Sequence, residues 1–132
     1  MSETADLIVL GAGAVGSAAA YHAARRNLRV IVLEQFEIDH QRGSSYGASR
    51  IIRYAYDYPA YVELARAAYP AWAELEREAG ETLLYPTGGV DLGRRGEPSF
   101  EATLSTLQAT NIPFELLGHS EAQRRFPQFR LD

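Results

Sequence analysis

The feature that most constrains this chain is a glycine-rich hexapeptide, GAGAVG, placed between two apolar runs. Its glycines stand at positions 11, 13 and 16, directly after the apolar residues 7–10. An alanine-rich segment with helical character extends to about residue 27, and a second apolar run covers residues 28–34. Short β-branched runs are typical of parallel strands buried on both faces. The order strand, glycine turn, helix and strand, within roughly 30 residues, predicts a parallel βαβ unit.

The three glycines have separate predicted tasks in a turn that binds a dinucleotide. Gly11 permits the tight turn, and Gly13 lets the backbone approach a pyrophosphate without a Cβ between them. Gly16 lets the helix pack closely against the strand. The first N–H groups of the helix attract phosphate, so the predicted cofactor contacts in this loop are Gly11, Ala12, Gly13, Val15 and Gly16.

Glu34 stands at the end of the second apolar run, eighteen residues after Gly16. A carboxylate at that place accepts hydrogen bonds from a ribose diol. It favours a ribose with a free 2′-hydroxyl, so FAD or NAD fits the pattern better than NADP. The alternative is a plain α/β unit with a glycine turn and a solvated Glu34. The strand, glycine turn, helix and acidic residue all stand in the expected order and spacing, which favours nucleotide binding. The motif alone does not separate FAD from NAD.

The composition of the chain excludes several kinds of chemistry. Its 132 residues have a net charge of −4, which argues against a protein that follows a nucleic-acid backbone. The sequence contains no cysteine and no lysine, so disulfides, thiolate ligands and lysine chemistry are excluded. The three histidines lack the spacing of metal ligands, so no metal site is predicted. No apolar stretch reaches the roughly 20 residues of a membrane-spanning helix, and no signal peptide is evident, so we expect a cytoplasmic protein without a membrane partner.

The remaining chain predicts helices with a few short strands. Residues 35–49 predict a polar loop, and residues 50–56 predict a short helix or an irregular turn. An amphipathic helix over residues 58–79, kinked or split by Pro70, is expected to have one apolar face, formed by Tyr61, Leu64, Ala68, Trp72, Leu75 and Ala79. Residues 81–93 predict two short strands around a turn. A helix over 97–110, a strand over 114–117 and a helical segment ended by Pro127 complete the prediction.

A third parallel strand is missing from the predicted pattern. A nucleotide-binding sheet needs at least one more strand beside the first two. The later apolar runs are short, and they are typical of edge strands in another layer. We therefore expect the chain to be the N-terminal piece of a longer protein.

The segment GSSYGASRIIRYAY, residues 43–56, carries the most specific resemblance in the chain. Together with the glycine loop, VIVLE and LLYPTGGVDLG, it resembles the N-terminal third of flavin-dependent amine oxidases. The similar group is the monomeric sarcosine oxidase and N-methyltryptophan oxidase family, in the D-amino-acid-oxidase-like class. The resemblance implies a truncated α/β fold. Residues 1–57 would begin a Rossmann-type FAD-binding domain, and residues 58–132 would begin an α+β substrate domain.

The resemblance also implies roles for a serine–glycine loop and two arginines. In the family, the loop that matches Gly43, Ser44 and Ser45 runs past the FAD. Arg53 matches the arginine that pairs with the substrate carboxylate, and Arg50 matches the arginine beside the isoalloxazine. A guanidinium binds a carboxylate through two parallel hydrogen bonds, and a positive charge near a flavin stabilises its anionic reduced form. The alternative is that both arginines are surface ion-pair donors.

The implied function is an FAD-dependent oxidase of secondary amines, with N-methyl amino acids as the expected substrates. Hydride transfer to the flavin and reoxidation by O2 would give hydrogen peroxide. The family's covalent flavin cysteine and oxygen-activating lysine belong to later sequence, so we expect this chain to need the remainder of the polypeptide and to be inactive alone. A non-catalytic dinucleotide-binding fragment and another FAD-dependent amino-acid oxidase or dehydrogenase remain alternatives. The long polar loop after Glu34 disfavours a nicotinamide-dependent dehydrogenase.

Overall fold

The computed structural model describes residues 4–131, and the chain divides into two compact units, Met1–Arg50 and Ile51–Asp132. The division follows Arg50, whereas the sequence prediction places a domain boundary after residue 57. The first unit has a strand–helix–strand order, and the regular elements described in the second unit are helices. The predicted mixed α/β architecture with a βαβ start is therefore confirmed.

The first unit contains strand β1 (Leu7–Leu10), helix α1 (Ala14–Ala24) and strand β2 (Val30–Leu33). The two strands pair in parallel, with Leu7 opposite Val30 and Leu10 opposite Leu33. The chain leaves α1 through Asn27, whose φ of 61° lies in the left-handed region that asparagine tolerates. This turn returns the chain to the start of the sheet, as the sequence predicts.

A charged pair holds the beginnings of the two strands together. The Arg29 N–H donates to Asp6 Oδ2 at 2.8 Å, and the Asp6 N–H donates to the Arg29 carbonyl at 2.9 Å. The Arg29 guanidinium adds a contact of 3.1 Å to Asp6 Oδ1. These bonds from Arg29 lower the pKa of Asp6 below its ordinary value. Because both side chains are exposed, the pair fixes the register more than it adds stability.

The prediction that β1 and β2 are buried on both faces is wrong for the described chain. Ile8 is 58% exposed and Leu10 is 80% exposed, whereas Leu7 and Val9 are partly covered. Val9 lies under α1, since its Cγ1 is 3.3 Å from the place that a Cβ on Gly16 would occupy. One helix covers one face of a two-stranded sheet, and within residues 4–131 the other face stays open.

The second unit contains α2 (Pro59–Ala79), α3 (Pro98–Ala109) and α4 (His119–Arg125). Proline opens both α2 and α3, where its missing N–H would have no partner in any case. Two hydrogen bonds link each of these helices to a residue beside the other, just before α2 and just after α3. The Thr106 hydroxyl donates to the Asp57 carbonyl at 3.1 Å, and the Arg66 guanidinium donates to the Thr110 carbonyl at 2.6 Å.

The structure bears on two parts of the sequence prediction for helix α2. The helix runs without interruption through Pro70, so the proline does not split it. Its buried positions are Val62 and Ala65, and not the predicted face, since Leu64 remains 65% exposed.

The strands predicted in residues 81–93 and 114–117 do not form in the described structure. A strand needs a second strand to pair its N–H and C=O groups. Here the N–H groups of Leu83 and Leu84 donate instead to Oε1 of Glu76, at 2.8 and 2.9 Å. The carboxylate of α2 therefore replaces a strand partner at the beginning of this segment.

We expect this segment to loosen in acid. The N–H of Leu84, and then that of Leu83, lower the pKa of Glu76 below its ordinary value. Since the folded-state pKa is the lower one, ionised Glu76 stabilises the segment above the unfolded-state pKa, and the effect is lost as pH falls through the lowered pKa. Amide exchange, corrected for intrinsic rates, should show that protection of Leu83 and Leu84 falls over that acidic range.

At neutral pH, Glu76→Gln should lower the same protection by roughly 3- to 10-fold, because a charged acceptor is replaced by a neutral one. Glu81→Gln is the matched control, since it removes an equal charge nearby without touching these bonds. Equal losses in both variants would show that net charge, and not the Glu76 acceptor, governs the segment.

Candidate functional site

The glycine loop between β1 and α1 is held by backbone contacts that require its glycines. Gly11 has φ 92°, in the region that side chains disfavour, and its N–H donates to the Leu33 carbonyl at 2.7 Å. A Cβ on Gly16 would overlap the Gly11 carbonyl oxygen. The first and third glycines therefore allow the tight turn and the close approach of α1 that the sequence predicts.

Glu34 lies beside this loop and binds its backbone. Oε2 accepts the Ala12 N–H at 2.8 Å, and Oε1 accepts the Phe36 N–H at 3.1 Å. The Ala12 bond, followed by the Phe36 bond, lowers the pKa of Glu34 below its ordinary value, against an opposing effect of desolvation. Glu34 is therefore ionised at neutral pH, and it links the end of β2 to the glycine loop.

The serine–glycine loop reaches the N-terminus of α1. Ser45 Oγ accepts the N–H of Ala14, the first helical residue, at 2.9 Å. A Cβ on Gly13 would stand 3.0 Å from the same Oγ, which is tighter than ordinary contact. Gly13 thus makes room for Ser45 as well as for the ligand that the sequence predicts. On the other side of the loop, the Ser17 hydroxyl donates to the Ala12 carbonyl at 2.8 Å.

The N-terminus of α1 keeps donors for an anion. The first N–H to bond within the helix is that of Ser17, which donates to the Gly13 carbonyl at 2.8 Å. Within residues 4–131, no group accepts the N–H of Val15 or Gly16, and the first turn holds no acidic residue. Such an end carries a partial positive charge, so it favours phosphate.

These elements surround one open cavity of about 510 Å³ in the first unit. Six of the predicted cofactor residues line it, namely Ala12, Gly13, Glu34, Gly43, Ser44 and Ser45. The predicted residues Gly11, Val15, Gly16 and Arg50 do not line it. Sequence reasoning missed Phe36, His40 and Arg42, which do. Their loop has no periodic pattern, so the sequence offered no signal that would have placed them.

Arg50 braces the serine–glycine loop. Its guanidinium donates to the Ser44 carbonyl at 2.8 Å and to the Ser49 carbonyl at 2.7 Å. Among the described residues, no carboxylate forms an ion pair with it. The alternative of a surface ion-pair donor does not describe Arg50, because backbone carbonyls are its partners. The predicted short helix over residues 50–56 does not form, and the irregular turn is the observed outcome.

Arg53 belongs to the second unit, where it is exposed. Its guanidinium lies over the Tyr56 ring, 5.1 Å from the centroid, and no described carboxylate pairs with it. It lines an open cavity of about 260 Å³ that also includes Asp57, Asp91 and Glu97. A guanidinium that rests on an aromatic face keeps its N–H edge available to a ligand.

Residues 4–131 contain neither a cluster of side chains suited to a metal ion nor a membrane-spanning helix. No group of three or more His, Asp or Glu side chains there could hold a metal ion. No helix in the described part combines the length and the apolar character needed to cross a membrane.

Residues 6–132 match the protein family described as "FAD dependent oxidoreductase". The chain is 43% identical over 128 residues to a monomeric sarcosine oxidase of Streptomyces avermitilis, covering 96% of this chain and 33% of that protein. It is 42% identical over 125 residues to a peroxisomal sarcosine oxidase of Mus musculus, covering 95% and 32%. It is 34% identical over 125 residues to an N-methyl-L-tryptophan oxidase of Yersinia pestis, covering 94% and 34%.

A solved structure of NikD, an unusual amino acid oxidase essential for nikkomycin biosynthesis, has the same fold over this region. The open form superposes with a TM-score of 0.74 at 28% identity, and it covers 95% of this chain and 33% of NikD. The chain thus spans about a third of the length of the curated relatives and of this structure.

The Ser45 contact gives a test of the site that needs no ligand. Ser45→Ala removes the acceptor of the Ala14 N–H, and it should lower the free energy of unfolding by about 1 kcal/mol, the usual effect of losing a helix-capping oxygen. Ser44→Ala is the matched control, because the Ser44 contact to Arg50 uses only its backbone carbonyl. Urea denaturation of both variants checks the difference, and equal midpoints would contradict the proposed cap.

Proposed function

The chain belongs to the FAD-dependent oxidoreductase family, and from that premise we propose that it is the cofactor-binding part of an oxidase of secondary amines. FAD is its cofactor. The proposed substrates are N-methyl amino acids, because the relatives include proteins named sarcosine oxidase and N-methyl-L-tryptophan oxidase. Since the chain spans about a third of those relatives, the proposed activity is that of a full-length enzyme that carries it.

The observation that carries this proposal is the convergence of three loops on one cavity. The glycine loop lines the cavity with Ala12 and Gly13, and the proposal assigns the N–H groups of Val15 and Gly16, in the first turn of α1, to the pyrophosphate. Glu34 stands at the cavity wall as an ionised acceptor for the adenosine ribose. The residues Gly43, Ser44 and Ser45 close the third side. The described residues therefore fit an extended dinucleotide with a diphosphate at its centre.

The proposed roles of the arginines follow from their different partners. When bound, FAD supplies the acceptor for a hydride from the substrate carbon and passes the electrons to O2, giving hydrogen peroxide. We assign Arg53 to the substrate carboxylate, because its N–H edge has no carboxylate partner among the described residues. Arg50 is assigned to the region of the isoalloxazine by resemblance, and its two bonds to carbonyls would fix the loop that carries it.

The proposal extends to the remainder of the polypeptide and to the compartment. We assign the open face of β1, with Ile8 and Leu10, to contact with the remaining part of the enzyme. The cytoplasm stays the proposed location, although the mouse relative is named for the peroxisome.

An absorption spectrum of the purified full-length enzyme tests for flavin, and peroxide formed from sarcosine tests for oxidation. Flavin binding without turnover of any N-methyl amino acid would leave only the binding part of the proposal.

Gly13→Val should abolish retention of FAD by the full-length enzyme, because the new side chain stands where the pyrophosphate approaches the loop. Gly118→Val is the matched control, since that glycine also precedes a helix and has open space around it. Flavin absorbance per protein after purification measures the result. Normal flavin content in Gly13→Val would contradict the assigned pyrophosphate site.

The double variant Gly13→Val/Ser45→Gly separates two explanations of that loss. Removing the Ser45 side chain relieves its close contact with the new Cβ but leaves the pyrophosphate blocked. The double variant should therefore remain without FAD. Recovery of flavin would mean that the glycine is needed for the serine loop and not for the cofactor.

Arg53→Lys should lower kcat/KM for sarcosine by about 10- to 100-fold with normal flavin content, because lysine keeps the charge but loses the planar two-point contact that orients the substrate. Arg94→Lys serves as the control at an exposed turn. An amine substrate that lacks the carboxylate should be poor with both enzymes and nearly indifferent to Arg53→Lys. If that amine suffers as much as sarcosine does, Arg53 supports the fold or the flavin and does not bind the carboxylate.

A further inference from the structure

His40 approaches Glu34 from a turn that follows β2. Asp39 has φ 68°, and the His40 N–H donates to the Glu37 carbonyl at 3.2 Å. This turn places His40 Nε2 at 3.5 Å from Glu34 Oε1, a distance that a small rotation would shorten to a hydrogen bond. The two side chains are only 23% and 15% exposed. The left-handed conformation of Asp39 therefore places the His40 imidazole against the Glu34 carboxylate.

The tautomer of His40 follows from its other ring nitrogen. Nδ1 accepts the N–H of Arg42 at 3.0 Å, so the proton of the neutral ring is on Nε2, the nitrogen that faces Glu34. The ring also packs edge-on against Phe36, with centroids 4.9 Å apart. Phe36 in turn gives its N–H to the same Oε1. One loop thus directs two N–H groups at one oxygen of Glu34.

We propose that His40 is a positioning residue for the cofactor, which holds the Glu34 carboxylate in the rotation that presents Oε2 to the adenosine ribose. A carboxylate offers about four acceptor positions. Phe36 donates to Oε1, Nε2 of His40 lies 3.5 Å from the same oxygen, and Ala12 donates to Oε2. Glu34 lies at the wall of the cavity with the Gln35 N–H as a further backbone donor, and the proposal assigns an acceptor position of Oε2 to the ribose. This inference rests on the proposed ribose contact of Glu34.

Two variants of His40 distinguish the proposed positioning role from a role in packing alone, because the two roles predict opposite effects on FAD binding. His40→Phe keeps a ring against Phe36 but removes the N–H that faces Glu34. His40→Gln loses the ring but can place an amide N–H near the position of Nε2. If His40 only packs, Phe is the better replacement. If His40 holds the carboxylate, Gln is the better one.

The experiment measures the Kd of FAD for the full-length apo-enzyme by quenching of flavin fluorescence. His40→Phe should raise Kd by roughly 3- to 10-fold, the range that one hydrogen bond contributes, while His40→Gln should stay within about 2-fold of the parent. The difference between the variants should vanish for an FAD analogue with 2′,3′-dideoxyadenosine, which offers no hydroxyl to Glu34. It should also vanish when both variants are made in a Glu34→Gln background, because the residues act as one unit.

Three results would overturn the role of His40 without touching the ribose contact of Glu34. The first is a Kd for His40→Gln equal to or above that of His40→Phe, and the second is a difference that persists with the dideoxy analogue. The third needs no variant: nitrogen NMR of the parent protein should find the neutral His40 proton on Nε2, and a proton on Nδ1 contradicts the geometry. If Glu34→Gln alone leaves Kd unchanged, the ribose contact is wrong and the role of His40 fails with it. Because the Glu34→Gln variant would still bind FAD in that case, the assignment of FAD as the cofactor would stand.

Discussion

The hydrogen bond from the Ala12 N–H to the Glu34 carboxylate is the contact on which the candidate site depends. It joins the glycine loop after β1 to the end of β2, two segments that parallel pairing brings to the same edge of the sheet. The bond fixes the loop before any ligand arrives. A site that is already ordered loses less conformational entropy on binding, so more of the contact energy appears as affinity.

The parts of the fold that were predicted correctly are those whose conformation is decided locally. Short β-branched runs, a glycine at φ 92° and an alanine-rich helix determine β1, the turn and α1 within a few residues. The incorrect predictions concern segments whose conformation or burial depends on contact with another part of the chain. Residues 81–93 were predicted as strands from their own composition, but Leu83 and Leu84 found a carboxylate of α2 as acceptor. The prediction for the buried face of α2 is wrong for a similar reason, since the sequence of the helix does not show which side meets the rest of the chain, and the buried residues are Val62 and Ala65.

The two arginines show where the sequence stops being informative about a site. Arg50 and Arg53 stand three residues apart, with the same side chain and similar exposure. One donates to two backbone carbonyls of its own loop, and the other lies over an aromatic ring without an acidic partner in the described chain. The resemblance to amine oxidases predicted two different roles for them. Local chemistry alone would have treated them alike, because their difference lies in contacts made by the surrounding turn.

The proposed diphosphate site belongs to a chain that contains no lysine. Arg42, the arginine that lines the cavity, has its guanidinium over the Phe36 ring, 4.7 Å from the centroid. Besides this guanidinium, the N–H groups of Val15 and Gly16 at the start of α1 contribute the partial positive charge of a helix N-terminus. Backbone donors need no side-chain ordering, but they require that nothing stand between them and the ligand. For the proposed site, the glycine positions therefore decide whether these backbone donors can reach the phosphates.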